Sequence, residues 1–131
     1  MINLYPTTTD IENDSHGIET YSLADTGCTD SIINFDFFRR ILNKHDNYII
    51  GPSKFVLNLA EQDKTMEVIG ETEAWIKITD GRGNSVAFVH NFLLIKNLNH
   101  KIFLGTDLLA SEWVYAKTRH EIIFNKVPGE T

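Results

Sequence analysis

Residues 21–33 read Tyr21-Ser22-Leu23-Ala24-Asp25-Thr26-Gly27-Cys28-Thr29-Asp30-Ser31-Ile32-Ile33. A strand delivers a carboxylate, a hydroxyl and a glycine into a polar turn, and the turn ends in an apolar run. Asp25 therefore stands at the open end of a strand. Thr26 can lock the turn through a side-chain to backbone hydrogen bond. Gly27 lets a second backbone or a substrate approach closely, or takes positive φ. An Asp-Thr-Gly triplet alone is a weak signal, because ordinary turns use the same residues.

The surrounding sequence is that of one mostly-β domain spanning residues 1–131. Phe55, Leu57 and Leu59 alternate with polar neighbours. So do Met66, Val68, Ala74, Ile76 and Ile78, with Glu67, Glu71, Glu73 and Lys77 on the other, solvated face. Gly81-Arg82-Gly83-Asn84 is turn chemistry between two such runs and predicts a hairpin. Asn13-Asp14-Ser15-His16-Gly17 is a second turn, ahead of a strand over residues 18–24. Asn34 can cap a helix over 35–42 that carries Phe35, Phe38, Ile41 and Leu42 on one face. Thr106 or Asp107 can cap a second short helix over 108–113, with Leu109 and Trp113 four apart. Many short strands separated by turns suit a sheet closed or folded on itself.

Composition narrows the function. Lys plus Arg is 12 and Asp plus Glu is 18, a formal charge of −6. That balance argues against nucleic acid as a partner, which would call for a basic patch. The single cysteine excludes a disulfide within the chain. The longest apolar stretch, residues 86–95, is interrupted by His90 and Asn91 and is too short to span a membrane. The first residues, Met1-Ile2-Asn3-Leu4-Tyr5-Pro6, have neither a basic nor an apolar leader region, so no signal peptide is expected. His16, His45, His90, His100 and His120 show no metal-binding spacing among themselves or with Cys28, and surface or turn roles are expected for them. No metal and no cofactor are expected. Cys28 reads as a small buried filler, and Asp107 as a residue making a structural hydrogen bond at a helix start.

The second signal is Ile102-Phe103-Leu104-Gly105-Thr106-Asp107-Leu108-Leu109, with Gly105 standing 78 residues after Gly27. Large apolar residues lead to a glycine, a cap and a helix start. Between the two signals lies a candidate flap over residues 55–68, with Ala60, Glu61, Gln62, Asp63 and Lys64 toward its tip. The three parts, in this order and at this spacing, resemble the retropepsin family of aspartic proteases over nearly the whole chain. Leu-Gly-Thr-Asp-Leu-Leu is more similar to the proteases of LTR retrotransposons of the Ty3/gypsy kind. Vertebrate retroviral relatives often pair an acid at the position of Thr29 with an arginine at that of Thr106, and here both are threonine. Many relatives have glycine at the flap tip, and 60–65 has none.

The resemblance implies a retropepsin-like closed β-barrel or sandwich with a flap hairpin and one or two short helices. It also implies a homodimer, because a single triplet supplies one carboxylate and the chemistry needs two. Asp25 is then catalytic and Thr26 and Gly27 support it. Gly27, Thr29 and Asp30 would contact the backbone of an extended polypeptide substrate, and Leu23, Ile32 and Phe103 would line side-chain pockets. Residues 1–9 and 122–131 are both candidates for the dimer interface. The expected activity is processing of a Gag-Pol-type polyprotein of a retroelement, in the cytoplasm or a virus-like particle. The alternatives are a catalytically weak or inactive binding module on the same fold, and a retropepsin-like domain of a cellular host protein.

Overall fold

The computed structural model describes residues 1–8, 17–24, 27–52, 68–109, 114–117 and 122–124, the last two ranges by backbone alone. The strands are β1 (Ile2–Pro6), β2 (Ile18–Thr20), β3 (Leu23–Ala24), β4 (Ile32–Asn34), β5 (Ile50–Gly51), β6 (Val68–Thr79), β7 (Ser85–Ile95), β8 (Ile102–Leu104), β9 (Val114–Lys117) and β10 (Ile122–Phe124). Two short helical segments, α1 (Phe35–Phe37) and α2 (Thr106–Leu109), complete the described elements, with a π-helical turn (Phe38–Leu42) continuing α1.

The long hairpin of β6 and β7 is the centre. On β6, Gly70, Thr72, Ala74, Ile76 and Ile78 are buried while Glu73, Lys77 and Thr79 are exposed, so the twofold pattern sorts the two faces as its period predicts. Gly83 sits at φ 85° in the connecting turn, a conformation that strains any residue with a Cβ. Asp80 closes that turn: its Oδ1 accepts from the Arg82 amide at 2.9 Å and the Asn84 amide at 2.8 Å. Glu71 departs from the solvated face expected of it. It is half-buried, its Oε2 accepts from Asn91 Nδ2 at 3.4 Å, and its Oε1 is buried without a partner.

Eight strands pair in the order β2-β1-β6-β7-β4-β8-β3, with β5 beside β6. β2 and β3 lie at opposite ends of this order, yet only Tyr21 and Ser22 separate them in the chain. Three Cα steps of about 3.8 Å reach at most about 11 Å, so the sheet has to curl until its edges approach. The result is a curled half-barrel. The same observation corrects the single strand expected over 18–24. The chain changes partner there, from β1 to β8, and the ladder is broken at Tyr21. β1 pairs with β2 on one side and β6 on the other. Residues 2–4 thus have a strand on each side, and Tyr5 and Pro6 pair with β6. β9 and β10 form a separate antiparallel pair.

Two apolar clusters lie on opposite faces of the sheet. The larger gathers Ile2, Leu4, Ile33, Phe38, Ile76, Phe92, Leu94, Ile102 and Leu104. The smaller joins Cys28, Ile32, Leu93 and Ile95, with Val68, Leu98 and Phe103 against it. Residues 92–95 therefore face one cluster and then the other, and this is why β7 ends as a continuous apolar run instead of an alternation.

Asn34 caps the first helix as expected, its Oδ1 accepting from Asp36 N at 2.9 Å and Phe37 N at 3.4 Å. The chain then widens into the π turn, closed by Asn43 N donating to Phe38 O at 2.7 Å. A π turn holds more residues than an α turn, so the face shifts. Phe38 and Leu42 are buried, but Ile41 is 47% exposed and leaves the apolar face predicted for it. The second helix begins at Thr106 and not at Leu108. Gly105 O accepts from Leu108 N and Leu109 N, which puts Gly105 at the cap and Thr106 and Asp107 inside the first turn.

Candidate active site

β8 lies between β3 and β4, parallel to the first and antiparallel to the second. The segment joining β3 to β4 must therefore pass over the end of β8. Asp25 and Thr26, the start of the triplet, lie outside the described residues, as do the flap residues Ala60, Glu61, Gln62, Asp63 and Lys64. The flanks are described. β3 brings Ala24 into register with Leu104, and the chain resumes at Gly27, which is exposed.

From Cys28 onward the loop is fastened to residues 105–107. Thr106 N donates to Cys28 O at 2.9 Å and Asp107 N donates to Thr29 O at 3.1 Å. Gly105 N donates to Ser31 Oγ at 3.1 Å. The Asp107 carboxylate returns the grip: Oδ1 accepts from Ser31 Oγ at 2.8 Å and Oδ2 from Ser31 N at 3.1 Å. Thr106 N and Asp107 N are the first amides of α2, which have no partner inside the helix and so bond the loop. Gly105 is required for space, not for backbone conformation. A Cβ there would lie 2.6 Å from Asp30 O and 2.8 Å from Cys28 O, both rigid main chain. Close backbone approach is thus the property of Gly105 in the second motif.

The residues expected to line pockets share one lateral row. Leu23 is in register with Phe103, and Phe103 with Ile32, across β3, β8 and β4. Leu23 and Ile32 are buried and Phe103 is partly open. Thr29 is exposed and its Oγ1 donates to Asp30 Oδ2 at 3.3 Å, with Asp30 partly open. Main chain joins the Thr29 and Thr106 segments: Thr106 N donates to Cys28 O and Asp107 N to Thr29 O. Cys28 is buried, as a filler would be, and its Sγ donates to Asp30 O at 3.0 Å.

Two residues of this arrangement were not singled out by sequence reasoning. Ser31 is fully buried and has both its hydroxyl and its amide engaged. His90 is not the surface or turn residue expected. Its Nε2 donates to Asp107 Oδ2 at 2.8 Å, its side chain is 17% exposed, and the rings of Phe88 and Phe92 meet it edge-on. The detectable signal was its phase: His90 interrupts Phe88 and Phe92 on the inward face of a strand. Asp107 makes the structural hydrogen bonds expected of it, but to Ser31 and His90 and not as a cap. Burial opposes ionisation of its carboxyl, but hydrogen bonds from His90 and Ser31 and the charge of His90 outweigh this and hold it below the ordinary 3.8.

No protein-family model matches the sequence, and no curated protein matches it. Among solved structures, the crystal structure of the retroviral protease-like domain of Ddi1 from Leishmania major is similar over 96% of this chain and 87% of that one. The TM-score is 0.51 and the sequence identity 14%. The chain has a retropepsin-like fold, and at this identity the likeness speaks for the fold alone.

Proposed function

We propose that the chain is an aspartic endopeptidase of retropepsin type, active as a homodimer, with Asp25 of each subunit forming the catalytic dyad. The observation that carries this reading is the fastening of the loop after Asp25-Thr26-Gly27 to Gly105, Thr106 and Asp107. The described parts of the two motifs that resemble the family meet in space beyond the end of β3.

Two carboxylates brought together on a twofold axis cannot both ionise cheaply, so the pair shares one proton. The ionised member takes a proton from a water held between them. The protonated member polarises the scissile carbonyl and then helps protonate the departing amine. Thr26 of each subunit braces the two turns against each other. Gly27, Thr29 and Asp30 bind the substrate backbone, which adds to the site as an extended strand, and Leu23, Ile32 and Phe103 shape the side-chain pockets. The flap around 60–64 closes over it. The substrate we favour is a Gag-Pol-type polyprotein of a Ty3/gypsy-like retroelement, cut in the cytoplasm or in a virus-like particle. A domain of a cellular host protein is the second reading, favoured by the likeness to a retroviral protease-like domain carried by a Leishmania major protein.

Calorimetry with a pepstatin-type inhibitor tests the reading. A transition-state mimic should bind an organised dyad far more tightly than a substrate peptide, and Asp25→Asn should abolish that preference. Equal, weak binding by both proteins would favour a binding module that keeps the fold without turnover. The pH dependence of the rate should be a bell centred in the acid range. A profile flat through neutral pH would contradict a shared-proton dyad.

A further inference from the structure

Asp107 Oδ2 accepts from two donors at once, Ser31 N at 3.1 Å and His90 Nε2 at 2.8 Å. Ser31 in turn holds Gly105 N, so one chain of bonds runs from β7 through α2 to the loop that follows the triplet. We propose that His90 is a positioning residue: through Asp107 and Ser31 it fixes the loop after Asp25-Thr26-Gly27.

Asp107, from α2, is the charged group in contact with His90 among the described residues. Its cross-strand partner on β6 is Ala74. Phe88 and Phe92 flank it on its own strand. Glu71 and Glu73 of β6 pair with Leu93 and Asn91 and so stand on the opposite face of the sheet. Asp30, on the loop, takes a bond from Thr29. Asp107, held ionised by its partners, is a competent acceptor for both donors. The relevance to catalysis rests on the protease reading, whereas the brace itself does not.

The experiment follows the Ser31 and Gly105 amide resonances of the full chain at one fixed pH. In His90→Gln, which retains a donor, both signals should stay near their wild-type positions. In His90→Phe, which removes the donor, the Ser31 amide should be displaced. A Ser31 amide unmoved in His90→Phe would overturn the proposal, as would a displacement in His90→Gln as large as in His90→Phe. Peptide hydrolysis supplies a separate arm: His90→Phe should lower kcat by roughly tenfold with KM little changed, as expected of slight misplacement. If wild type cleaves nothing, the protease reading fails while the resonances still decide the brace.

Discussion

Asp80 and Asp107 each hold a turn with one carboxylate, but over very different lengths of chain. Asp80 grips the amides of Arg82 and Asn84, two and four residues away, inside the β6–β7 turn. Asp107 grips the amide and hydroxyl of Ser31, 76 residues away. The first turn brings its acceptor with it and needs only its own hairpin to form. The loop at 28–31 has its polar groups satisfied by residues that reach it only when β8 has been laid between β3 and β4. A local turn serves the sheet. The remote one keeps the flank of Asp25 in place, and such a device is worth its folding cost where a geometry must be held for chemistry.

The contrast can be broken by substitution. The largest effect is expected at Gly105→Ala, where a Cβ would press on the main chain of Asp30 and Cys28. Overpacking of this kind costs about 1–3 kcal/mol, read as a lower denaturation midpoint, and the damage should centre on the amides of 28–31. Ordinary stability in Gly105→Ala would mean that the two segments are not held together as described. Asp107→Ala strips the acceptor from Ser31 and should cost about 2 kcal/mol. Asp80→Ala should cost about 1 kcal/mol, because its stranded amides lie in an exposed turn and water can replace the carboxylate. If the two alanine variants cost the same, the distinction between the turns is energetically empty.

A pH titration sharpens the same point. The carboxyl of Asp107 is depressed in the folded chain, so its contribution is complete above its unfolded value and is lost as pH falls through its folded value. Stability should decline below about pH 3.8, and Asp107→Asn should flatten that decline. A slope unchanged by Asp107→Asn would assign acid sensitivity to other carboxylates.

What the sequence made legible divides along the same line. The alternation of β6, the glycine of its turn and the Asn34 cap depend on neighbours a few residues apart, and each is where the pattern places it. The break at Tyr21–Ser22 depends on a change of partner strand, which no local pattern records. The outward turn of Ile41 follows from one extra residue in a helical turn, where helical periodicity would keep it inside. The triplet and the Gly105 motif could be paired by resemblance, but Ser31 and His90 could not. A serine in a polar turn looks ordinary, and the phase of His90 marks it as inward-facing without naming its partner, until the fold brings both to Asp107.

The claim that Asp25 is a catalytic carboxylate on this fold is tested most directly by peptide hydrolysis. Purified protein and Asp25→Asn would be incubated with a peptide library between pH 4 and 7, products read by mass spectrometry and dimerisation followed by sedimentation. We expect cleavage by the wild-type dimer and a loss of about 10³-fold or more in Asp25→Asn, with both proteins folded. Equal cleavage by the two, or none by a folded wild-type dimer, would contradict it.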